Sequence, residues 1–236
     1  MILALSGKSG SGKDIVGKII QYLTDKDKGG YQHPNSQDDF ESYCKNFKQK
    51  YCDWEIKKFA GKVKEIASLL TGIPIEKFED QEFKKKALGR EWCYSTEWQG
   101  REHWVEMTSR EFLQKLGTEA MRNGLHTNVW CNALFADYVS KFNPTNTILD
   151  EMSDMSYKNY YPNWIITDLR FSNELTAIKK REGITIRVNR PGINLLDHPS
   201  ETSLDTAEFN YTIDNSGTIE ELIKKVKDIL VKEKII

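Results

Sequence analysis

Met1-Ile2-Leu3-Ala4-Leu5 is an unbroken apolar run that stops in a glycine loop, the pattern of a strand buried on both faces. Beyond the loop the spacing changes. Ile15, Val16, Ile19, Ile20 and Leu23 recur at helical intervals, so a helix opens at about Lys13. Phe59, Val63, Ile66, Ala67 and Leu70 give Trp54–Leu70 an amphipathic helical pattern, with Gly72 and Pro74 as its stop. The charged stretch Glu79–Leu88 predicts a short helix. Thr108 with Glu111 is a capping box, and the helix it opens carries Phe112, Leu113, Leu116, Ala120 and Met121. A further helix is predicted over Val129–Phe142.

Trp164-Ile165-Ile166-Thr167 predicts a second buried strand, followed by a helix over Ser172–Arg181 capped at Gly183. Strands at Ile184–Val188 and Tyr211–Ile213 come next. Thr218 with Glu221 is another capping box, opening a terminal helix through Leu222, Val226 and Leu230. Strands that alternate with helices predict an α/β fold, a mostly parallel central sheet covered on both faces. Two polar stretches, 25–53 and 143–163, predict lid or substrate-capping inserts in one domain spanning 1–236. The first has room for a short helix around Phe40–Phe47. The stretch 89–107, with Trp92, Trp98 and Trp104 among charges, shows no period that assigns it an element.

Composition narrows the function classes. The chain has 236 residues and a formal net charge of −1, so no global basic field would hold a nucleic acid. No apolar stretch approaches a membrane span and Met1–Leu5 is too short for a signal-peptide core, so the expected place is the cytoplasm. Cys44, Cys52, Cys93 and Cys131 form no CxxC pair and are expected as free thiols.

The chemistry lies in Gly7-Lys8-Ser9-Gly10-Ser11-Gly12-Lys13-Asp14, which fits G-x-x-x-x-G-K with Asp where Ser or Thr is usual. Its glycines let successive backbone N–H groups face phosphate oxygens, and the following helix adds its positive end. Lys13 would reach the β- and γ-phosphates and follow the charge as it moves. Asp14 is a hard oxygen ligand able to hold Mg²⁺, and equally a favourable acid on a helix dipole. The loop and the α/β pattern together predict a P-loop NTPase-type three-layer α/β/α fold.

Asp168 ends the strand at Ile165–Thr167, where open α/β sheets place their ligands. It can hold a Mg²⁺-bound water or accept a proton from the attacking group, and Arg170, two residues on, can clamp a substrate phosphate; the bland alternative is a helix-capping Asp with a solvated Arg. Arg110 and Gln114 lie one turn apart on a helix and continue to Gly117. For them, as for Lys64, a solvated helix face is the competing account. In the loop Asp197–Glu201, His198 is more readily structural than catalytic.

These pieces resemble the phage-type deoxynucleoside monophosphate kinases. The resemblance runs from Leu5-Ser6-Gly7 through Asp14, Phe59-Ala60-Gly61 with Lys64, and Leu113–Glu119. It continues in Asp168-Leu169-Arg170 with Glu174, Val188–Gly192, His198 with Glu201, and Ile213–Thr218. It implies transfer of the ATP γ-phosphoryl, with Mg²⁺, to a deoxynucleoside 5′-monophosphate. It further implies that Lys13 assists transfer, that Asp168 with Asp14 serves the metal, and that Lys64, Arg110, Gln114, Arg170 and Glu174 serve the acceptor. Asn215 and Gly217 resemble a loop beside the adenine, and the family suggests a homodimer. The Gly-Lys-Asp loop and the Asp-x-Arg strand end also look like those of phosphomevalonate kinases, so that alternative stays open.

Overall fold

A computed structural model describes residues 1–27, 40–46, 52–141, 160–192 and 202–236. Most of the two expected inserts and all of Asp197–Glu201 lie outside the described residues. The described residues pack as two compact units, Met1–Lys58 with Phe135–Ile236 (the sheet unit) and Phe59–Leu134 (the helical unit).

The sheet unit holds five parallel strands: β1 (Ile2–Ser6), β2 (Trp54–Lys57), β5 (Asn163–Leu169), β6 (Ile184–Asn189) and β7 (Tyr211–Asp214), in the order β2-β5-β1-β6-β7. The central position of β1 explains its unbroken apolar run, since neither face meets water. Leu3, Leu5, Ile165, Ile186 and Val188 turn to one face. There they pack with Val16 and Ile20 of α1 (Lys13–Asp27) and Leu222 and Val226 of α7 (Ile219–Lys232). Each such side chain contributes about 1.5–3 kcal/mol when fully buried. The opposite face carries Trp164, stacked on Phe135, and Ile2 beside Ile178 of α6 (Ser172–Lys179). Helices thus cover both faces, as the α/β pattern predicts.

Trp54–Leu70 is not one helix. Trp54–Lys57 pairs with β5 over Asn163–Ile166, and α3 covers Phe59–Thr71. The helical spacing is real only from Phe59 onward; before it, the open edge of β5 recruits the backbone. Val129–Phe142 is likewise shorter, with α5 spanning Val129–Phe135 and Lys141 bridged to Tyr160. A short helix α2 (Phe40–Asn46) matches the one expected in the first polar stretch.

In the helical unit, Glu79–Leu88 forms 3₁₀ turns instead of an α-helix. Asp80 Oδ1 accepts from the amides of Glu82 at 2.8 Å and Phe83 at 3.3 Å, a local turn that competes with helix. The unassigned stretch contains a hairpin, β3 (Tyr94–Trp98) with β4 (Arg101–Val105). Its two-residue turn has Gln99 at φ 51° and Gly100 at φ 71°, the left-handed pair that matches strand twist. Thr108 caps α4 (Ser109–Gln114) by accepting from Glu111 N at 3.2 Å. The helix then widens into a π-helical stretch over Lys115–Leu125. Ala67, Phe78 and Phe112 form the buried centre of this unit, with Trp92 edge-on to Phe112.

Among the described residues no helix is long and apolar enough to cross a membrane. Cys44, Cys52, Cys93 and Cys131 form no disulfide among the described residues.

Candidate active site

The carboxyl ends of β1, β2, β5 and β6 converge on the loop 7–14. The turn is so tight that glycine is required at two points. A Cβ at Gly7 would lie 2.3 Å from Val188 O, and one at Gly12, whose φ is 97°, would lie 2.4 Å from Asn215 Nδ2. Asn215 is buried and donates from Nδ2 to Ser11 O at 2.9 Å, so it braces the loop from below. Ser11 is itself buried, and its Oγ has no hydrogen-bond partner among the described residues. A buried hydroxyl without a partner costs free energy unless a ligand satisfies it, which a phosphate oxygen can do.

Lys13 is buried, with Nζ donating to Gly7 O at 2.5 Å and Lys8 O at 2.7 Å. Its ammonium therefore sits inside the curl of the loop. Asp14 is more exposed. Its Oδ1 accepts from Thr167 Oγ1 at 3.0 Å and pairs with Lys58 Nζ at 2.9 Å. Burial pushes the Asp14 carboxyl up, but Lys58, Thr167 and Lys13 more than offset it, leaving it below the ordinary carboxylate value. Lys8 pairs with Asp205 at 3.0 Å, and Asp205 also holds Arg187 at 2.7 Å.

Asp168 is half-buried near the end of β5, and Arg170 follows on the turn. Glu174 shapes that turn: it is buried, and its Oε2 accepts from the amides of Arg170 at 2.9 Å and Phe171 at 3.0 Å. The carboxylate thereby caps the start of α6. Ser203 Oγ donates to the carbonyl of Arg170. A cavity of about 450 Å³ opens beside the loop, lined by Lys8, Ser11, Asp214 and the run Val188–Gly192. Gly217 lies against the Glu221 carboxylate that completes the Thr218 cap and does not line that cavity.

The fold therefore brings together 7–14, Asp168, Arg170, Glu174 and Asn215. Lys64, Arg110 and Gln114 belong to the helical unit. Lys64 is buried there and paired with Glu79, while Arg110 and Gln114 are exposed on α4.

Sequence reading missed Lys58, Thr167, Arg187 and Asp205. Thr167 was visible as the last residue before Asp168. Lys58 was hidden because the short strand before it was absorbed into a helical pattern. Arg187 lies in the predicted strand Ile184–Val188. Nothing in the sequence pairs it with Lys8 through Asp205.

The donor set can be weighed against Mg²⁺. Among the described residues no group of three or more His, Cys, Asp or Glu could hold a metal ion. Mg²⁺ needs no such cage, because it binds through one or two carboxylates together with substrate phosphates and water. Asp14 in the first turn of α1 and Asp168 near the end of β5 are hard oxygen donors of that kind.

A parallel α/β sheet with a glycine-braced, lysine-filled loop at the end of its central strand fits the fold of the P-loop kinases. The model of one family, described as deoxynucleotide monophosphate kinase, matches residues 62–226, and the chain belongs to that family. A protein of Acanthamoeba polyphaga mimivirus, whose name assigns it this activity provisionally, is 30% identical over 151 residues, covering 59% of this chain and 71% of its own length. The deoxynucleotide monophosphate kinase of Enterobacteria phage T4 is 31% identical over 122 residues, 51% of this chain and 44% of its own. That of Escherichia phage RB69 is 27% identical over the same shares. The family match supports the deoxynucleotide reading and not the phosphomevalonate alternative.

Proposed function

We infer that the chain transfers the γ-phosphoryl of ATP to a deoxynucleoside 5′-monophosphate, giving the diphosphate and ADP. The observation that carries this reading is the loop itself: Ser11 Oγ is buried without a partner among the described residues, inside a turn where Gly7 and Gly12 admit no side chain. The loop amides and Lys13 would bind the donor's β- and γ-phosphates. The cavity between Lys8 and Asp214 would take the donor base, with Asn215 holding the loop from beneath.

Bound Mg²⁺ would neutralise donor phosphate charge, with Asp14 and Asp168 as its protein ligands. Arg170 would clamp the acceptor phosphate, and Glu174 would serve the acceptor through the turn that presents Arg170. Arg110 and Gln114 are the further acceptor contacts proposed. Lys64 can join them only by exchanging Glu79 for phosphate. The acceptor oxygen is already ionised near neutral pH, so the protein's work is alignment and charge neutralisation, without a general base.

The test is ADP release with ATP, Mg²⁺ and a panel of deoxynucleoside monophosphates, with phosphomevalonate alongside. At least one deoxynucleotide should turn over. Turnover with phosphomevalonate alone would overturn the reading. Lys13→Ala should lower kcat by roughly a hundred- to a thousand-fold with the melting temperature unchanged. Arg170→Ala should raise the acceptor KM more than the donor KM; the reverse would move the acceptor elsewhere.

A further inference from the structure

Lys58 has no place in the chemistry assigned so far, yet it stands at the loop. It follows the last residue of β2, at the carboxyl end of the strand that flanks β5. Its Nζ lies 2.9 Å from Asp14 Oδ1, and that oxygen also accepts from Thr167 Oγ1 at 3.0 Å. The ends of two adjacent strands, β2 and β5, thus meet on Asp14, in the first turn of α1 directly after Lys13. The neighbouring Lys57 is used differently: it pairs with Glu55 at 2.8 Å and lies over the Trp164 ring at 5.3 Å. Of the two consecutive lysines, only Lys58 pairs with the phosphate loop.

Stability is a poor reason for the Lys58–Asp14 pair. The side chains are 31% and 65% exposed, and pairs this open contribute about 0–1 kcal/mol. An ammonium has three N–H donors that can exchange among acceptors.

The geometry points to Lys58 as a second lysine of the transfer centre. Anchored by Asp14 and Thr167, it directs an N–H at the equatorial oxygens of the migrating phosphoryl while Lys13 holds the phosphates from within the loop. The bond from Pγ to the β,γ-bridging oxygen breaks, and the electron pair leaves with ADP. A bond from Pγ to an acceptor phosphate oxygen forms. Lys58 stays an ammonium throughout and transfers no proton; it stabilises charge that spreads over the equatorial oxygens. This rests on the phosphoryl-transfer reading above, and its experiment separates the two.

Lys58→Ala, Lys58→Gln and Lys58→Arg are assayed beside Lys13→Ala with saturating donor and acceptor. Lys58→Ala should lower kcat about a hundred-fold while the donor KM moves less than about three-fold. Lys58→Arg should retain more activity than Lys58→Gln. Added ethylamine or propylamine should restore part of the kcat of Lys58→Ala, and a neutral alcohol of the same size should not. A residue that only held the fold would give no amine rescue. A kcat within about three-fold of the parent in both Lys58→Ala and Lys58→Gln overturns the assignment, as does a loss that no amine relieves. If Lys58→Ala fails to fold, Lys58→Gln against Lys58→Arg decides by the same kcat comparison. If Lys13→Ala keeps full activity, the phosphate-loop reading falls first. If Lys13→Ala is dead and the Lys58 variants are unimpaired, only Lys58 is removed from the centre.

Discussion

Leu3, Leu5 and Ile165 lie fully buried on strands that are paired on both edges and covered by α1 and α7, whereas the helical unit buries a cluster of Ala67, Phe78 and Phe112, with Phe59, Trp130 and Leu134 buried besides, on helices and short turns. The sheet unit combines backbone ladders with a deep apolar core. The helical unit relies on a few aromatic contacts, short 3₁₀ turns, a π-helical stretch and an exposed hairpin whose Trp104 is 73% exposed. An anion cradle needs backbone amides held to fractions of an ångström, and a buried parallel sheet supplies that. Short elements without a multi-strand backbone ladder open at lower cost, which suits a region that must adapt.

The sharpest test of this contrast compares one core residue in each unit. Phe112→Ala should cost about 3–5 kcal/mol and Ile165→Ala about 2–5 kcal/mol. Their reach should differ. In hydrogen exchange, Phe112→Ala should deprotect amides within 59–134 and spare β1 and β5, while Ile165→Ala should lower protection throughout the sheet. Equal deprotection of the sheet by Phe112→Ala would break the distinction.

Smaller effects come from the two helix caps, one in each unit. Thr218 accepts from Glu221 N, and Glu221 returns a bond to Thr218 N, both at 3.3 Å. Thr108 accepts from Glu111 N, but the Glu111 carboxylate is taken by Tyr94 Oη. Thr218→Ala should therefore lose about 1 kcal/mol and Thr108→Ala somewhat less, read as urea midpoints at constant slope. A larger loss at Thr108 would mean that the hairpin's hold on α4 passes through its cap.

The smallest effect is expected at Asp14. Its folded-state carboxyl lies below the ordinary value, so its contribution to stability is present above the unfolded-state pKa and lost as pH falls through the folded one. Asp14→Asn should cost roughly 0.5 kcal/mol at neutral pH, since the pair is largely exposed. That difference from the parent should vanish in strong acid. A difference that persists in acid would show that Asp14 acts through something other than its charge.

Much of the sheet unit was legible from residues alone. Buried parallel strands carry unbroken apolar runs, and β1, β5 and β6 announce themselves so. Both threonine caps were legible because a cap is a local exchange between residues three apart. The helical unit was harder to read. Its hairpin has charged and polar residues on both faces, so Tyr94–Val105 lacks the alternation of a half-buried strand. β2 has only four residues, and its pairing with β5 is a relation across more than a hundred positions. In the site, Lys13 and Asp168 could be found by motif and strand end. The braces and ion pairs could not, because Asn215 meets Ser11, and Asp205 meets Lys8, only through folding.

The sequence by itself determined the order of the buried strands β1, β5, β6 and β7 with the helices between and after them, the glycine loop with its lysine, and the family to which the chain belongs. Each is written in short-range spacing or in a contiguous motif. Only the tertiary structure decided what surrounds the loop. Neighbouring strand ends deliver Lys58 and Thr167 to Asp14, and the turn after β7 places Asn215 beneath Ser11. The physical reason is the parallel sheet itself. It sets the carboxyl ends of strands distant in sequence about 5 Å apart, and so assembles charges that no spacing along the chain records.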